Sequence, residues 1–134
     1  MSEQNTQVQK EEKGDWLLRA WISTITGDGV GLSVVLTTAA GIISGTLISE
    51  VRYLDSISNA MADGWGERGE VFRDMFAGMR EFDGKLPIKY VHLQAAQLMT
   101  LQGAMPVGVN GLWRGDLDAI IGHSIGQLTL NPVP

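Results

Sequence analysis

The sequence predicts a single α+β domain: a small, strongly bent antiparallel β-sheet or partial barrel, with one helix before it and a helical insertion within it. Three observations predict this. From Val30 to Ser49 apolar and polar side chains alternate with a period of two, in a stretch rich in β-branched residues. Between about residues 50 and 83 the apolar spacing changes to that of a helix. From Ile88 onward the strand pattern returns.

The elements follow in order. Residues 1–14, rich in Gln, Glu, Asn and Lys, have no apolar period and read as a disordered or frayed tail. The domain is expected over residues 15–130, and residues 131–134 form a short end that Pro132 and Pro134 keep out of any ladder. Asp15 is placed to cap a helix whose Leu18, Trp21, Ile22 and Ile25 keep the i, i+3, i+4, i+7 spacing. Gly27-Asp28-Gly29 stops it. Trp16 lies off that stripe, against the helix edge or a partner.

A hairpin comes next. Leu32, Val34 and Leu36 alternate with Ser33, Val35 and Thr37, and Ala40-Gly41 offers the turn. Ile43, Gly45 and Leu47 then share one face. Gly45 in mid-strand removes a side chain where a strand bends sharply or another backbone passes close. A glycine kink in a second strand is how a small barrel begins to close.

Ser49 is a plausible cap for a helix with Val51, Leu54, Ile57, Ser58 and Met61 on one face. Asp63 to Gly69 reads as a glycine-rich linker carrying an isolated Trp65. A second helix runs through Phe72, Met75, Phe76, Met79 and Phe82 to Asp83-Gly84. Its Met and Phe stripe is either the core-facing side of a surface helix or an adaptable docking face. After Ile88, Tyr90 and His92 alternate with Lys89, Val91 and Leu93. Gly103 to Gly111 reads as a loop, Leu112 to Ile121 as a strand bulged at Gly115, and Gly122 to Leu128 as a short last strand.

Composition narrows the function. The formal net charge of −5 repels phosphate backbones at long range, which disfavours nucleic acid as a partner. The absence of cysteine removes disulfides, thiolate metal sites and cysteine nucleophiles. No apolar run is long enough for a membrane span and the amino terminus is polar, so a cytoplasmic protein is expected.

Few residues suggest chemistry. His92, His123 and Asp116 could supply two imidazoles and a carboxylate to a metal, yet no short spacing joins them, and structural histidines are the simpler reading. Asp116 and Asp118 would share a strand face as paired carboxylates or as a solvated edge. No phosphate loop, dinucleotide fingerprint or nucleophile elbow is present, so no cofactor and no catalysis are expected. In Trp113-Arg114-Gly115 the arginine could stack, pair with a carboxylate or grip a base.

Ordered motifs resemble those of the accessory gas vesicle protein U family. They are Gly41, Ile43, Ser44, Gly45, Leu47, Ile48 and Ser49, then Tyr90-Val91-His92-Leu93, then Trp113-Arg114-Gly115, then Ile125 and Gly126. The resemblance implies a non-enzymatic accessory protein of gas vesicle assembly or clustering. Its partners would be the vesicle shell, other gas vesicle accessory proteins or a second copy of the chain, with no membrane partner. Trp65, Phe76 and Met79, with Tyr90, Trp113 and Arg114, are the residues expected to meet partners. The architecture also resembles the Sm-like barrel, which implies as an alternative an RNA-binding module centred on Arg114 and Tyr90.

Overall fold

The computed structural model describes residues 14–27, 29–82 and 84–126. The expected amino-terminal tail, Gly14 excepted, and the expected end at 131–134 lie outside them. The fold is α+β, with a six-stranded antiparallel sheet.

Helix α1 spans Trp16–Ser23, and Asp15 caps it by accepting the Leu17 N–H at 2.8 Å. Leu18 points into the core, with Trp21, Ile22 and Ile25 packed beside it. Trp16 stays exposed. The Arg19 guanidinium donates to the Ile88 carbonyl, tying the helix to the approach of a later strand.

Strands β1 (Val30–Thr38) and β2 (Gly41–Ile48) form the predicted hairpin. Strand β3 (Tyr90–Thr100) pairs with β2. Opposite Gly45 the register shifts: Ser44 faces Gln97 but Thr46 faces Gln94, so β3 carries one extra residue. Ala95, at φ 53°, is the bulged residue. A Cβ on Gly45 would lie 3.1 Å from the Gln94 carbonyl oxygen and 3.2 Å from Ala96 Cα, so the glycine admits the close backbone expected of it. The bulge also resets the alternation of β3. Val91 and Leu93 face the core before it, and Ala96 does so after it.

Past β3, residues 103–111 are not one loop. Thr100 pairs with Gly103 across a tight turn, and Gly103–Pro106 forms strand β4 on the far half of β3. A 3-10 turn (Val109–Gly111) leads to β5 (Trp113–Asp116), which pairs with the near half of β3. The strand expected over 112–121 is divided by a 3-10 turn, Leu117–Ala119. Its second part joins the expected last strand as β6 (Ile120–Ile125), which pairs with β1.

That division bends the sheet. The order is β5-β3-β2-β1-β6, so β5 and β6 lie on opposite edges. In a flat sheet four strand spacings would separate them by ~19 Å. The chain from Asp116 to Ile120 reaches at most ~14 Å when extended, and ~8 Å when wound as 3-10. The sheet must therefore curl until its edges converge. It does not close into a barrel: no β5–β6 pairing occurs among the described residues. Leu117, 1% exposed, fills the convergence, and its N–H donates to the Lys89 carbonyl at 2.9 Å.

Between β2 and β3 stands a helical arm. Helix α2 spans Glu50–Trp65 and α3 spans Glu67–Ala77, followed by a 3-10 turn at Gly78–Phe82. The linker expected over 63–69 shrinks to Gly66, whose φ of 59° and ψ of −124° make the joint. Gly69 is not a linker residue. It lies buried within α3, where a Cβ would come 2.2 Å from Ala62 Cα, so the two helices cross backbone on backbone. Arg80 pairs with Asp55 and ties the end of the arm to α2.

The bend at β3 is testable by adding a methyl group. Gly111 has φ 69°, and a Cβ there would lie 2.6 Å from Ala95 Cα and Ala96 N. Gly111→Ala should lower unfolding free energy by roughly 2–4 kcal/mol. Gly122→Ala, with no atom within 4 Å of the new Cβ, should change it by less than ~0.5 kcal/mol. Denaturant titration of both variants checks the contrast.

Candidate functional site

Ser49 sets one wall of a cleft. Its Oγ accepts the Arg52 N–H at 3.0 Å as the α2 cap and donates to the Gly27 carbonyl, fixing the start of α2 beside the end of α1. The cleft between them has a volume of about 230 Å³. Ile22 comes from α1, Leu54 from α2, Met79 and Phe82 from the turn ending the arm, and Tyr90 and His92 from β3.

His92 lies on the face of β3 opposite the core-facing Val91 and Leu93, beneath α2. The Tyr53 ring is centred 4.9 Å from its imidazole. Two places along, Gln94 accepts the Arg52 Nε–H at 3.1 Å. His92 is 3% exposed, and its Nε2 has no hydrogen-bond partner among the described residues. A buried polar atom left in that state costs about 1–3 kcal/mol. Burial first, then the Arg114 charge, lower the His92 pKa to about 4. The imidazole is therefore neutral at pH 7, one nitrogen donating and the other accepting.

Arg114 faces His92 across the β3–β5 ladder and reaches diagonally over Tyr90, its guanidinium carbon 4.0 Å from the ring centroid. Trp113 turns the other way. It packs on the core, and its ring lies over Gly115, where a Cβ would come within 2.2 Å of it. The triplet thus divides into a packing residue, an outward cation and the glycine that makes room for the indole ring.

Trp65, at the end of α2, is 57% exposed and meets Phe72 edge-on at 5.6 Å. Phe76, half-buried, lies 6.4 Å from Phe72. Met79 is exposed and also lines the cleft with Tyr90. The expected single stripe on the second helix is thus divided: Phe72 and Phe76 are half-buried, whereas Met75, Met79 and Phe82 are exposed. Sequence reasoning missed Val71, 68% exposed and one turn before Met75. It also missed the cleft.

The carboxylates and imidazoles do not gather. His123 Nδ1 lies 3.3 Å from Asp15 Oδ2 without hydrogen-bond geometry. Asp116 accepts the Asp118 N–H at 2.9 Å, a local cap of the 3-10 turn. No group of three or more His, Asp or Glu side chains among the described residues is arranged to hold a metal ion. Nor is any described helix long and apolar enough to cross a membrane.

A family model described as gas vesicle protein GvpU-like matches residues 15–128. No curated protein and no solved structure matches the chain.

The buried imidazole makes stability pH-dependent. Its folded pKa of about 4 lies below the ordinary 6.5, so the unfolded chain binds the extra proton between those values. The stabilisation is fully present above pH ~6.5 and is lost as pH falls toward ~4, by roughly 3 kcal/mol. His92→Phe should remove that part of the dependence. Unfolding free energies at pH 7, 5.5 and 4 for both proteins check it.

Proposed function

The chain belongs to the gas vesicle protein GvpU-like family, and from that premise we propose that it is a non-enzymatic accessory protein acting in gas vesicle assembly or clustering through protein–protein contacts. The observation that carries the contact surface is the arm. Trp65, Val71, Met75, Met79 and Phe82 remain exposed along it, an apolar display that the rest of the described residues leave uncovered.

In this reading the curled sheet is a scaffold, and the arm meets the vesicle shell or another vesicle-bound protein. Trp65 is the aromatic anchor, with Phe76 and Met79 filling the surface around it. Each contact is weak. Many copies on one shell would bridge neighbouring vesicles by avidity, which keeps clustering reversible. Tyr90 and Arg114 are secondary contacts at the base of the arm, whereas Trp113 serves the packing behind them. An RNA-binding role on Arg114 and Tyr90 competes with this reading, and the net charge of −5 opposes it.

Purified protein mixed with stripped, isolated gas vesicles should raise light scattering in proportion to bound protein. Replacing Trp65, Phe76 and Met79 together by serine should weaken binding by about tenfold or more while the circular dichroism spectrum keeps its helical content. Full clustering by the triple variant would remove these residues from the contact. Failure to bind vesicles, with RNA binding that falls steeply with salt, would favour the competing role.

A further inference from the structure

We infer that the cleft between α1, α2 and β3 is a binding site for a small, uncharged, mainly apolar molecule that hydrogen-bonds to His92. Size, lining and an unpartnered atom point to this occupant. By proportion to the ~150 Å³ hole that holds benzene, about 230 Å³ accommodates about nine non-hydrogen atoms. Ile22, Leu54, Phe82 and Ile88 supply apolar walls.

His92 is the polar group at odds with those walls. Nearly all buried polar atoms in folded proteins have a partner, yet His92 Nε2 has none among the described residues. A ligand carrying one N–H, O–H or carbonyl group would supply it. A charged ligand is disfavoured because those apolar walls would strip its hydration without pairing it, and Glu50, on the lining, adds repulsion of an anion. His92 Nε2 is itself buried, so a ligand that reaches it from the cleft must displace the side chains over it, and Met79 and Phe82 line the same cleft. Both belong to the 3-10 turn Gly78–Phe82, which buries none of its side chains.

The test uses rings of matched size: indole, which donates an N–H; 1-indanone, which offers a carbonyl; indene, which has no polar group; and phenylacetate, an anion. Each is titrated into full-length protein carrying ¹³C-methyl methionine, and the Met79 methyl and His92 ring resonances are followed. Indole or 1-indanone should shift both resonances and bind about tenfold tighter than indene, with phenylacetate weakest. His92→Phe should remove the preference over indene, and Leu54→Trp, which fills the cleft from an apolar wall, should abolish binding of all four. No shift at either residue up to the solubility limit would overturn the proposal. So would equal affinities for indole, 1-indanone and indene, or shifts confined to Met105 on β4.

Discussion

Three residues, Leu117 to Ala119, connect the two edges of one sheet, and the rest of the structure follows from that short span. A link so short forces curvature on every strand between the edges. The strands supply it locally. Ala95 bulges β3 opposite Gly45, and an extra residue near Ile121 bulges β6 against Thr37 and Thr38. Curling turns one face inward, where Val34, Leu36, Leu47, Val91 and Leu93 close around Leu18 and Leu117. Dry, close packing of those side chains is the main favourable term holding the curl against its cost in backbone order.

Curvature also explains why the outer face of β3 is available. With β3 committed inward through Val91 and Leu93, its alternate residues point out, and α2 descends on them from Ser49. The result is a strand covered on both sides at its first half, with a histidine held neutral under the helix. Where α2, α1 and the end of the arm fail to meet completely, the cleft remains. Farther out, the arm departs from the sheet and packs chiefly on itself through the Gly69–Ala62 crossing. Its remaining apolar side chains stay exposed among the described residues. Met79 and Phe82 belong to both regions, lining the cleft and sitting in the exposed display.

Local rules made much of this legible. Asp15 and Ser49 announce helix starts because their oxygens satisfy amide groups that a helix leaves orphaned. The alternation from Val30 to Ile48 and the solitary Gly45 gave away the bent hairpin. What sequence hid was set at long range. Gly69 resembles a linker residue until Ala62 is brought against it. Gly103-Ala104-Met105-Pro106 has little strand propensity, and pairing with β3 alone makes it a strand. Ala95 carries no mark of its positive φ. The alternation from Leu112 to Ile121 looks continuous because the need to rejoin β1 lies outside that segment. The cleft was the least readable feature, being assembled from elements separated widely along the chain.

The claim that the curled sheet is a scaffold and the arm a contact surface is most directly tested by hydrogen exchange, measured with and without stripped gas vesicles. The account predicts new protection confined to residues 65–86, with β1, β2 and β3 exchanging as they do in the free protein. Protection along β6 or β4 with the arm unchanged would contradict it, and would place the contact on the open edges of the sheet instead.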